Sequence, residues 1–165
     1  MFLYDKFYRP LPETQMEFRT AINSLFPHIY DCKHMINTRL ELQSLFPNSM
    51  LSEVYKRVTL RPDFGFGQNI EIHSGFPDYS LSGDIYHEAG FDALMTGVSW
   101  FKMMTLLGKK RKFPGVEYIE KDENIQLMDK NRIPMASIKQ SMNLNPIGPD
   151  QSGDGAGGKT FLFVL

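Results

Sequence analysis

A histidine and an aspartate stand five residues apart in HEAGFDALMTG, residues 87–97. Both sit where small residues give way to a strongly apolar stretch. In mid-helix, five residues turn through about 500°, which leaves His87 and Asp92 about 140° apart. They converge only if His87 lies at the frayed start of a helix and Asp92 in its first turns. Gly90, Ala93 and Gly97 form a small-residue stripe beside them, of the kind that lets a helix approach a sheet closely. The expected geometry is a carboxylate held against strands, with an imidazole raised at the helix entrance. That arrangement suits metal-assisted phosphodiester hydrolysis. The carboxylate is a hard oxygen ligand for magnesium. The imidazole, titrating near neutrality, takes the proton of an attacking water. Two metals clamp the attacking and leaving oxygens. One aspartate cannot hold that pair, so further carboxylates are required. The structural alternative is capping, with Asp92 at the positive helix end and His87 satisfying a backbone group.

The elements that must position these residues lie in a chain of 165 residues, a length that suits one domain with a core of its own. With 42% hydrophobic and 22% charged residues the composition is that of a globular protein. A net charge of −1 supplies no bulk field for nucleic acid, so such binding must come from a local patch. The single cysteine, Cys32, excludes an internal disulfide framework and suits a reducing compartment. No apolar run approaches the ~20 residues of a membrane span. The opening MFLYDKFYRPLP lacks the basic-then-apolar pattern of a signal peptide.

Met1–Tyr8 is aromatic-rich and is ended by Pro10 and Pro12. Glu13–Leu25 reads as an amphipathic helix with Met16, Ile22 and Leu25 on one side and Phe18 flanking. His28–Lys33 (HIYDCK) reads as a short strand. Asn48–Leu60 reads as a helix whose Leu51, Val54, Tyr55 and Val58 follow i, i+3, i+4, i+7, with Asn48 or Ser49 as cap. Residues 61–86 read as loop, with a short strand at Ile70–Ile72. Glu88–Leu107 is the strongest helix, with Gly108 at its C-cap and Lys109, Lys110, Arg111 and Lys112 where the dipole favours cations. Residues 113–158 read as weakly structured, and NPIGPDQSGDGAGGK (145–159) is a linker by composition. The apolar TFLFVL that closes the sequence is a lone strand and an aggregation liability. Both ends therefore read as cut, as in a fragment or a shortened gene product.

Other groups invite chemistry less strongly. GKKRK (108–112) is a basic patch or a solvated helix end. Cys32 with His28 or His34 lacks the oriented third group of a thiol nucleophile. His28, His34, His73 and His87 lack zinc-ligand spacing. FGFG (64–67) alternates aromatic and glycine, as a base-stacking loop or a plain flexible one does. The ten methionines fill core gaps.

The run GFPDYSLSGDIYHEAGFDALMTG (75–97) resembles the third exonuclease motif of the poly(A)-specific ribonuclease (deadenylase) family, in the histidine-bearing branch of the Asp-Glu-Asp-Asp 3′→5′ exonucleases. FYRPLPETQMEFRTAINSLFPHIYDCKHM (7–35) resembles the segment that follows the family's second motif. SMLSEVYKRV (49–58) resembles the helix after it, and IPMASIKQSMNLNPIGPD (133–150) the end of the nuclease domain. The resemblance covers residues 1–112 well and the rest loosely.

The resemblance implies an α/β chain: a partial ribonuclease-H-like exonuclease fold lacking its first strands. Residues 1–144 would be the later part of the exonuclease domain, 145–158 a linker and 159–165 the first strand of an RNA-recognition-like domain. It implies His87 as general base and Asp92 as a metal ligand for one of two Mg2+ ions. It implies Lys33 near a substrate phosphate or base, where Cys32 replaces the family's usual Thr or Ser. Asp31 matches a structural acid, and Leu51 a contact to adenine or a helix-core residue. The family's upstream Asp-x-Glu pair and second-motif aspartate have no counterpart here; Asp5 lies near but its neighbours do not fit. The implied activity is removal of adenylates from RNA 3′ ends, as deadenylation or small-RNA trimming, with this chain alone inactive or nearly so and binding magnesium weakly or not at all. Implied partners are RNA 3′ ends and poly(A), and a homodimer mate or full-length subunit, in nucleus or cytoplasm. The alternative expectation is a non-catalytic product of a truncated gene that binds RNA or such a subunit; a mispredicted gene without function is the third.

Overall fold

The computed structural model describes residues 2–64, 70–75, 88–110, 122–135 and 141–146. Its contacts divide the chain into two units, residues 1–28 with 131–165, and residues 29–130.

In the first unit, α1 (Phe2–Phe7) and α2 (Gln15–Leu25) precede a two-stranded sheet. Thr14 and Glu17 form a reciprocal capping box that starts α2, satisfying two N–H groups the first turn cannot bond itself. The buried positions of α2 are Phe18, Arg19 and Ile22. Met16 and Leu25, expected on the apolar side, are 56% and 38% exposed. Met16 and Ile22 are about 120° apart on a helix, whereas Phe18 and Ile22 are one turn apart and share a face. Tyr4 of α1 is buried, with ring centroids 5.3 Å from Tyr8 and 5.6 Å from Phe18, both edge-on. Strands β1 (Arg132–Pro134) and β2 (Ser141–Asn143) pair antiparallel, Ile133 opposite Met142. Asn131 leads into β1 at φ 56°, a left-handed conformation that asparagine tolerates. Its side-chain amide donates to the Pro27 carbonyl (3.1 Å) and to Asn145 Oδ1 (2.8 Å).

The second unit is helical among the described residues: α3 (Cys32–Thr38), α4 (Leu40–Gln43), α5 (Leu51–Leu60), a 3-10 turn at Pro62–Phe64, α6 (Ala89–Lys110) and α7 (Glu123–Met128). Of the strand expected at His28–Lys33, Tyr30 keeps a single β-bridge and α3 takes over from Cys32. Asp31 Oδ1 accepts the His34 N–H at 2.8 Å, and a helix-starting cap outweighs a short alternation. Asn48 Oδ1 accepts from the Met50 N–H (3.0 Å) and so closes the turn before α5, which begins three residues later than expected. Val54, Tyr55 and Val58 are buried and Leu51 packs against the same core. No strand forms at Ile70–Ile72. Helix α6 runs through Gly108 to Lys110 instead of stopping there. Gly108 is buried, so the ~1 kcal/mol that glycine costs inside a helix is offset by the burial of Leu106 and Leu107 beside it. Within the stretch expected to be weakly structured, the described residues 122–135 and 141–146 carry a helix and two short strands. Asp122 Oδ1 accepts the Ile125 N–H (3.2 Å) and caps α7, whose Ile125 is fully buried.

The core of this unit lies between α5 and α6. Tyr55 meets Phe91 edge-on at 5.9 Å, a contact worth about 0.5–1.5 kcal/mol beyond its buried area. Phe46 packs on Phe64, and Trp100 of α6 on Tyr30. Arg39 and Asp129, 90 residues apart, form a buried ion pair, with Arg39 Nε 3.0 and 3.1 Å from the two carboxylate oxygens. His34 Nε2–H donates to the Met128 carbonyl at 2.7 Å. These two contacts fix the end of α7 to α3 and to the start of α4.

Candidate functional site around Asp92

The first turn of α6 is capped by Glu88. Its Oε2 accepts the Phe91 N–H at 2.8 Å and its Oε1 the Gly90 N–H at 3.2 Å. Asp92, one turn in, is half-buried and is not the cap. Its main chain is ordinary helix, with N–H to the Glu88 carbonyl at 2.9 Å and carbonyl accepting Thr96 Oγ1 at 2.9 Å. Among the described residues its carboxylate takes no hydrogen bond or ion pair. Asp92 has no capping duty and sits next to the fully buried Phe91. His87 lies outside the described residues.

The helix start that carries Lys33 comes to the same side of α6. The Cys32 thiol points at the Thr96 carbonyl, 3.7 Å away, and Thr96 is one turn beyond Asp92. Lys33 itself is exposed. Leu51 opens α5 and is half-buried against the core; four residues on, Tyr55 meets Phe91. Asp31 is the α3 cap, as a structural acid should be. Ala93 and Gly97 are exposed, and a methyl group added at Gly97 would meet nothing within 4 Å. Among the described residues, then, no sheet packs on this stripe.

Its surroundings disfavour Cys32 as a nucleophile. Burial pushes its thiol up to about 12, and the neighbouring Asp31 charge adds to the rise. At neutral pH almost no thiolate forms, and only the thiolate attacks. The native chain should react with a disulfide reagent at pH 8 roughly a hundredfold or more slower than it does in urea; equal rates would contradict this burial. His34 is a core histidine with no exposed surface. Phe64, first of the FGFG run, is buried with its ring against Phe46, and its carbonyl accepts from Lys102 Nζ at 3.0 Å; residues 65–67 lie outside the described residues. Lys109 and Lys110 form the end of α6, and Arg111 and Lys112 lie outside.

A metal ion asks for more than the described residues offer. Among them no group of three or more His, Cys, Asp or Glu side chains converges. Magnesium requires near-octahedral oxygen ligation, and Asp92 supplies one carboxylate. The described donor set does not by itself fit the ion.

Residues 1–100 match the CAF1 ribonuclease family. The chain belongs to that family. It is 30% identical to the human poly(A)-specific ribonuclease PARN over 146 residues, which is 88% of this chain and 22% of that protein. It is 35% identical over 111 residues to human poly(A)-specific ribonuclease PNLDC1, covering 66% of this chain and 21% of that one. The pre-piRNA 3′-exonuclease trimmer of Bombyx mori is 28% identical over 106 residues, 62% of this chain and 20% of its own length. The chain thus spans about a fifth of the length of the curated relatives it matches.

Proposed function

We propose that this chain is the later part of a magnesium-dependent 3′→5′ exoribonuclease that removes adenylates from RNA 3′ ends. The supporting observation is Asp92, a carboxylate within the family match that capping does not use. In the complete enzyme Asp92 is one metal ligand. His87 accepts the proton of the attacking water, whose oxygen bonds to phosphorus as the P–O3′ bond breaks; the O3′ left on the shortened strand takes up a proton from solvent, and 5′-AMP leaves. Lys33 neutralises a substrate phosphate, and Leu51 contacts an adenine. The Asp-x-Glu pair and the second-motif aspartate come from a segment that this sequence does not contain, and the ribonuclease-H-like sheet is completed with it. Residues 1–144 serve the exonuclease domain, 145–158 link, and 159–165 begin an RNA-recognition-like domain. The enzyme acts as a homodimer, in nucleus or cytoplasm.

A second reading follows from the described donor set, in which no three ligating side chains converge. The chain as given binds RNA or a full-length subunit without cleaving. An exonuclease assay on oligo(A) with magnesium separates the two. The chain alone should release no AMP, and a version extended at its N-terminus through the Asp-x-Glu pair should release it. Cleavage by the short chain, or none by the extended one, would overturn the corresponding reading.

A further inference from the structure

The unit containing α1 and α2 holds a groove of about 440 Å³ that no part of the nuclease reading uses. Its size lies within the ~300–1,000 Å³ of small-molecule sites. Arg9 and Tyr8 form one wall, and the α2 residues Met16, Thr20, Ser24 and Leu25 the other. Arg9 is built into place. Its Nε–H donates to the hydroxyl of Tyr4, a residue only 3% exposed, and its guanidinium lies 5.2 Å from the centroid of the Tyr8 ring and 5.7 Å from that of Tyr4. The side chain is exposed, and among the described residues its terminal Nη groups take no partner. A planar cation fixed at Nε and open at both Nη groups matches a phosphate bidentately. Tyr8 is 55% exposed and offers a ring on which a base stacks. The one acid in the groove, Glu17, has its carboxylate engaged by the Thr14 N–H at 3.1 Å.

We propose that this groove binds a nucleotide of single-stranded RNA, with its base on Tyr8 and a phosphate on Arg9. The proposal rests on the reading of the chain as part of a ribonuclease: an enzyme that shortens a strand stepwise gains from holding it by nucleotides other than the one removed.

The test is fluorescence anisotropy of labelled oligo(A) with the full chain in EDTA, where no cleavage is needed. Arg9→Ala should weaken binding roughly tenfold and lower the slope of log K on log salt by about 0.7, one phosphate contact on a single strand. Tyr8→Ala should weaken it roughly tenfold and Tyr8→Phe less than about twofold, because the ring and not the hydroxyl stacks. Tyr4→Phe frees Arg9 and should give part of the Arg9→Ala loss; thermal melts by circular dichroism check that each variant is folded. The proposal is wrong if the chain does not bind oligo(A), or if Arg9→Ala and Tyr8→Ala bind as the parent does. It is also wrong if they alter sedimentation without altering RNA affinity, which would make the groove a self-association face. If the extended chain fails to cleave while these dependences hold, the nuclease reading fails and the groove stands. Cleavage without these dependences fails the groove alone.

Discussion

Asp92→Asn in the N-terminally extended enzyme should lower kcat by about 10³-fold or more while leaving the thermal midpoint nearly unchanged. Labour is divided in the first turn of α6. Glu88 carries the capping bonds to the Gly90 and Phe91 N–H groups, so Asp92 contributes little to helix stability. Asparagine keeps the shape and removes the charge, and a divalent ion held by hard oxygen ligands depends on that charge. The partner experiment is Glu88→Ala, which should cost about 0.5–2 kcal/mol of stability through the lost cap. Activity per folded molecule should change far less than in Asp92→Asn. Steady-state kinetics and thermal melts on both variants check the pair. If Asp92→Asn melts much lower and still cleaves, the carboxylate is structural and the assignment is wrong.

Asp129→Ala should destabilise the 29–130 unit by about 3–5 kcal/mol. The variant leaves the Arg39 guanidinium, 5% exposed, with neither carboxylate oxygen. A buried cation that loses its carboxylate costs more than the pair itself gains, because its desolvation is less fully compensated. The double variant Arg39→Met/Asp129→Leu should therefore recover much of the loss. Urea unfolding monitored by fluorescence measures both. A loss below about 1 kcal/mol in Asp129→Ala would show that water reaches Arg39. The loss should be felt first in α7, whose end is tied to the preceding helices by this pair and by the His34–Met128 contact.

The legible parts of this fold are those written in local spacing. Leu51, Val54, Tyr55 and Val58 declare one helix face, and the apolar run after Asp92 declares α6, because both signals repeat within a few residues. Asp31 and Asp122 are equally local but are single residues, and a cap is easily lost beside an alternation such as HIYDCK or in a stretch of mixed composition. Glu88 is the same kind of omission: a reading that assigns the cap to Asp92 passes over the glutamate next to His87. The Arg39–Asp129 pair has no local signature, since its partners meet only when α7 returns to the start of α4. Within the candidate site, the first-turn position of Asp92 is legible from the boundary between small and apolar residues. The approach of the Lys33 helix start is not, because it depends on Cys32 meeting a backbone carbonyl 64 residues away.

Trp100 is the only tryptophan in the sequence, and it belongs to the 29–130 unit, stacked at a tilt on Tyr30. Indole emission excited at its red edge thus witnesses one of the two units, while ellipticity in the far ultraviolet sums over all the helices. Superimposable melting traces from the two optical signals would mean that the units come apart in concert; displaced traces would resolve which unit yields first, with no label introduced.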